Sequence, residues 1–113
     1  MEETKIDWVD VMNTVAADIN QNAVNKGFWD KERNDGEAIA LIHSELSEAL
    51  EALRHGNPPD DKIKEYTGVE AELADAIIRI CDLAAGRKWR VFEAMAAKMQ
   101  FNTTRERLHG KEF

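Results

Sequence analysis

Val69-Glu70-Ala71-Glu72-Leu73-Ala74-Asp75-Ala76-Ile77-Ile78-Arg79-Ile80-Cys81-Asp82-Leu83-Ala84-Ala85 decides the fold. At roughly 100° per residue, Val69, Leu73, Ala76, Ile77, Ile80, Leu83 and Ala84 cover one side of a helix. Ala71, Ala74, Ile78, Cys81 and Ala85 cover much of the other. A helix apolar nearly all round is normally a buried one. Glu72, Asp75, Arg79 and Asp82 gather in one band roughly 80° wide. Charges on a buried helix must be paired or must bind something. Arg79 stands one turn after Asp75 and neutralises part of the band, but it does not balance Glu72, Asp75 and Asp82 together.

A second acidic word lies upstream, in Leu41-Ile42-His43-Ser44-Glu45-Leu46-Ser47-Glu48-Ala49-Leu50-Glu51-Ala52, with 23 residues between Glu48 and Glu72. The main apolar stripe of this helix is Ile39, Ile42, Leu46, Ala49, Leu50 and Leu53, while Glu37, Ser44, Ser47 and Glu51 face solvent. Glu45 and Glu48 belong to neither face; they lie on a flank beside Leu41 and Ala52. Carboxylates at i and i+3 share a helix face. Helices joined in succession tend to pack as neighbours. Glu45, Glu48, Glu72 and Asp75 thus form a candidate hard-cation site, most naturally for Mg²⁺ with Mn²⁺ as a substitute. The structural alternative is a buried salt-bridge network that holds no metal.

The remaining elements read as support. A first helix is expected from about Thr4, as N-cap, to Lys26, with the stripe Trp8, Met12, Val15, Ile19 and Ala23. Asn13, Asn20 and Gln21 read as solvated amides on its far face. Gly27 sits where a helix ends in a left-handed residue. The adjacent aromatics Phe28 and Trp29 either plug the bundle end or wall a pocket, with Trp29 stacked on a flat ligand. Asn34 or Asp35 caps the second helix, which stops at His55-Gly56-Asn57-Pro58-Pro59. Asp60 to Gly68 reads as a short helix or a loop. Gly86-Arg87-Lys88 ends the third helix, and a fourth is expected from Trp89 to Thr104 with Phe92, Met95, Ala96 and Met99 as core. Lys98, Asn102 and Arg105 share one face of it, either as snorkelling surface residues or as a phosphate-binding row.

A chain of 113 residues with 43% apolar content makes a single domain, residues 1–113, with one core. The architecture expected is an all-α, four- to five-helix antiparallel bundle. A formal net charge of −7 argues against nucleic acid or an anionic membrane as a main partner. No apolar run is long enough for a membrane span, Met1-Glu2-Glu3-Thr4 is unlike a secretory signal, and one cysteine makes no internal disulfide. A cytoplasmic setting is therefore expected. Cys81 lies on an apolar side of its helix and reads as core. Glu106-Arg107-Leu108-His109 is a single Glu-x-x-His word where a di-iron bundle needs two. No glycine-rich phosphate loop is present.

Glu45-x-x-Glu48 followed by Glu72-x-x-Asp75, with the words around them, resembles the acidic signature of the MazG-like all-α nucleoside triphosphate pyrophosphohydrolases. Lys98-x-x-x-Asn102-x-x-Arg105 with His109-Gly110-Lys111 is similar to that branch, and the likeness spans roughly residues 27 to 113. The resemblance implies Mg²⁺-dependent hydrolysis of a nucleoside triphosphate to the monophosphate and pyrophosphate by a homodimer or homotetramer. It implies metal ligation by Glu45, Glu48, Glu72 and Asp75, with Glu48 and Glu45 catalytic. Trp29 would contact the base, and Lys98, Asn102 and Arg105 the phosphates. Dimeric dUTPases share the signature, so a different phosphorylated substrate stays open, as does a non-catalytic acidic bundle that binds a partner or self-associates.

Overall fold

The computed structural model describes residues 7–110, with side chains described for residues 7–108. The Thr4 cap and Lys111 lie outside the described residues, as do the side chains of His109 and Gly110. Four α-helices follow one another: α1 (Trp8–Asn25), α2 (Asp35–Arg54), α3 (Gly68–Arg87) and α4 (Val91–Asn102). A short 3₁₀ turn (Arg107–Gly110) closes the described chain. The fold is all-helical, with no strand among the described residues and one isolated bridge, Pro59 to Thr67. None of these helices is long and apolar enough to cross a membrane.

Each of the first three helices begins at a side-chain cap that takes up an orphan backbone donor. Asp7 accepts from the Val9 amide, and Asn34 from the Glu37 amide. Thr67 and Glu70 form a reciprocal capping box. Asp7 thus takes the role expected of Thr4, one turn later. Gly27 has φ +90° just past α1, the left-handed ending its sequence position suggested.

Gly86-Arg87-Lys88 ends α3 as expected, though not at the glycine. The helix runs through it to Arg87 and turns at Lys88, with φ +58°. The reason is tertiary: a Cβ at Gly86 would stand 2.3 Å from Trp29 Cη2, so the glycine makes room for an indole. The fourth helix is shorter than expected, and the segment from Asp60 to Thr67 is a loop, with Gly68 already the first residue of α3.

α3 is the central element, packed on α2 along one face and on α1 along another, with α4 resting on α1. Contacts between α2 and α3 run in opposite order. Ala52 neighbours Gly68, Glu45 meets Arg79, and Asp35 meets Arg87, so the pair is antiparallel. The core between α1, α3 and α4 is Ala16, Cys81 and Phe92, with Val9, Met12, Ile19 and Ala85 against it.

The α2 face pressed on α3 is Ala38, Glu45 and Ala49, not the large residues of its apolar stripe. Ile39, Leu46, Leu50 and Leu53 are exposed, as are Leu73, Ile77 and Ile80 of α3. Each set spans an arc of roughly 60° on its helix. Because the helices are antiparallel, both arcs lie on the same side of the pair, opposite the flank that carries Glu48 and Asp75. Among the described residues, the buried apolar ones are six alanines, Cys81, Leu83 and Phe92. Its accessible surface of 9334 Å² compares with about 6,300 Å² for a compact protein of this mass.

Candidate metal centre and its cavity

Helical spacing brings the two acidic words together. Glu45 sits on the α2 face packed against α3, and Glu72 and Asp75 lie one turn apart on α3. Glu45, Glu72 and Asp75 each present a carboxylate oxygen within 4.8 Å of the other two. Glu48, one turn after Glu45, lines the same open cavity of about 470 Å³. Ile19, Ala23, Phe28 and Ile78 form an apolar part of its wall, and Arg33, Lys62 and Arg79 are the cations on it.

The electrostatics of the cluster are unequal. Arg79 Nε donates to Glu45 Oε1 at 2.9 Å. Burial disfavours the Glu45 charge, but hydrogen bonds with Glu72 and Arg79 and the Arg79 charge outweigh it, so this carboxyl is held below its usual range. Glu72 goes the other way. Burial, then hydrogen bonding with Glu45 and Glu48 and repulsion from their charges, pushes it up to about 7. Its Oε2 is buried and has no hydrogen-bond partner. A buried oxygen left unpartnered costs roughly 1–3 kcal/mol. An all-oxygen donor set with an orphaned ligand atom fits a hard divalent cation.

Asp82 leaves the acidic band for a different task. It accepts hydrogen bonds from Asn20 Nδ2, Trp29 Nε1 and Arg33 Nη1, each at 2.9 Å. The Arg33 and Arg87 guanidinium groups stand 4.7 and 5.5 Å from the Trp29 ring centroid. Arg87 also donates to Asp35 and to the Arg33 carbonyl. Trp29 is thereby locked among Gly86, Asp82 and two arginines. The aromatic on the cavity wall is its neighbour Phe28, which is 70% exposed.

The structure therefore brings together Glu45, Glu48, Glu72 and Asp75. It places Trp29 in the packed junction beside them. Lys98 and Asn102 are on α4, which rests on α1, and Arg105 lies over the Phe101 ring at 5.7 Å. None of these three lines the cavity. Reading the sequence missed Asn20 and Arg33 as partners of Asp82, although an uncompensated acid on an apolar helix signals that donors must come from elsewhere. It also missed Lys62, for which the sequence carries no signal. Cys81 is buried, and burial pushes its thiol up, away from nucleophilic use. Comparison with protein-family models, curated proteins and solved structures returns no match.

Proposed function

We propose that the chain is a MazG-like hydrolase that converts a nucleoside triphosphate to the monophosphate and pyrophosphate, with Mg²⁺ held by Glu45, Glu72 and Asp75. The observation that carries this reading is the convergence of those three carboxylates, one with an unpartnered buried oxygen, on the wall of an open cavity. A hard cation in such a site polarises phosphate oxygens and makes a water more acidic. Glu48, exposed beside the cluster, orients the attacking water and takes its proton. The water oxygen bonds to the α-phosphorus, the bond to the bridging oxygen breaks, and pyrophosphate leaves with the electron pair. The choice of the α-phosphorus follows from the resemblance of the acidic words. Phe28, Ile19, Ala23 and Ile78 offer an apolar wall for the flat part of a nucleotide.

The non-catalytic bundle is favoured by one observation, the Arg79–Glu45 ion pair. That pair leaves Glu72 and Asp75 without a cation of their own among the described residues. The exposed apolar arcs of α2 and α3 support the expected homodimer or homotetramer in either case.

The test is pyrophosphate release from a panel of nucleoside triphosphates with Mg²⁺, with Glu45→Gln and Glu72→Gln alongside. Metal-dependent pyrophosphate is expected, with each variant losing more than the roughly 10–100-fold that removal of an outer-shell partner costs. No turnover and no rise in Tm with Mg²⁺ or Mn²⁺ would leave the self-associating bundle as the reading.

A further inference from the structure

We infer that Lys62, on the α2–α3 loop, binds a phosphate of the polyphosphate substrate; this rests on the hydrolase reading above. A cavity walled by five carboxylates repels a polyanion, so cations on its wall decide whether one enters. Two of the three cations there are already paired with carboxylates of the same wall. Arg33 is bonded to Asp82 at 2.9 Å, and Arg79 to Glu45 at 2.9 Å. Lys62 lines the same cavity and makes no ion pair with a described carboxylate.

Its backbone is fixed, while its ammonium acts on Asp60 only as a nearby charge and is held in no ion pair with a described carboxylate. Asp60 Oδ2 accepts the amides of Lys62 and Ile63 at 2.9 and 3.0 Å. Those two bonds hold the Asp60 carboxyl below its usual range, so it stays ionised and keeps the turn. The Asp60 amide donates to the Tyr66 carbonyl, and the Gly68 amide to the Pro58 carbonyl, both at 2.8 Å. Asn57 Oδ1 accepts the Val69 amide and ties the loop to the start of α3. A rigid loop thus carries a flexible four-carbon arm with a compact charge to the cavity wall. That is the geometry of a lysine that follows a phosphate as a point charge and does not fix it bidentately.

The probe is inorganic tripolyphosphate with Mg²⁺, titrated into the wild-type chain, Lys62→Ala, Lys62→Arg and Glu45→Gln. Mn²⁺ affinity, helicity and Tm are measured on each. Lys62→Ala is expected to weaken tripolyphosphate about tenfold and to flatten its salt dependence. Lys62→Arg should restore most of the affinity, and Mn²⁺ binding and Tm should not move. Lys62→Ala affinity within twofold of wild type overturns the assignment and leaves the hydrolase reading intact. A wild-type chain that binds Mn²⁺ and no tripolyphosphate overturns both.

Discussion

Glu72 is the residue on which the electrostatics of the site turn. Its carboxyl, raised from 4.5 to about 7, keeps a proton in the folded chain that the unfolded chain has already released. The stabilisation from that proton is therefore full below about pH 4.5 and is lost as pH rises through about 7. Glu45, held below its usual range, works in the opposite sense and only in more acid solution. Metal-free protein should lose roughly 1–2 kcal/mol across the Glu72 window, allowing for solvent screening. Tm measured in chelator from the carboxylate range to above neutrality reads this directly. Glu72→Gln should level the slope, and a slope that survives the substitution would refute the assignment. The four carboxylates were legible in the sequence because two i,i+3 pairs on apolar helices have few structural uses. The partners of Asp82 were not legible, because Asn20, Trp29 and Arg33 reach it from distant parts of the chain.

At the scale of elements, the junction between the end of α3 and the segment after α1 organises the molecule. Gly86 lies inside α3 where a glycine normally weakens a helix by about 1 kcal/mol relative to alanine. Here the relation reverses, because a Cβ would enter the Trp29 ring. Gly86→Ala should destabilise the chain by about 1–3 kcal/mol through overpacking, seen as a lower midpoint in urea. Trp29→Ala combined with Gly86→Ala should remove most of that added cost, since the two substitutions share one contact. Full additivity of the pair would show that the clash is not the cause. The same junction explains why Trp29 is a structural residue while Phe28, one position earlier, faces the cavity. Adjacent residues on a turn point in different directions, and only the packed structure says which goes where.

For the whole molecule, the unusual feature is how little the single chain buries. Among the described residues, a core of six alanines, Cys81, Leu83 and Phe92 is thin for a chain whose apolar content is 43%. The accessible surface exceeds that of a compact chain by about 3,000 Å². An obligate dimer needs roughly 1,000 Å² or more from each protomer. The side of α2 and α3 that carries Ile39, Leu46, Leu50, Leu53, Leu73, Ile77 and Ile80 is an exposed apolar side suited to it. A second copy laid on that side in two-fold fashion would complete a four-helix layer and leave both acidic cavities facing outward. Light scattering should give a dimer or tetramer, with a Tm that rises with protein concentration. Leu50→Asp with Ile77→Asp should give a monomer of lower Tm that keeps its helical circular dichroism. A wild-type monomer would overturn this reading.

The sequence by itself determined the four helices, the Asn34 start of α2 and, to within a residue, the start of α3, and the pairing of two acidic words on neighbouring elements. Each of these follows from short-range periodicity and capping chemistry, which a string of residues carries in full. It also determined that Cys81 is core, since the residue lies on an apolar side of its helix, away from the charged band. Only the tertiary structure decided which apolar stripe is buried in the chain and which is left for another. Ala38 and Ala49 let α2 approach α3 closely, and the larger residues were turned aside. Only the tertiary structure placed Lys62 on the cavity wall and Lys98 away from it, because loop paths and helix-packing faces depend on contacts between residues far apart in the chain.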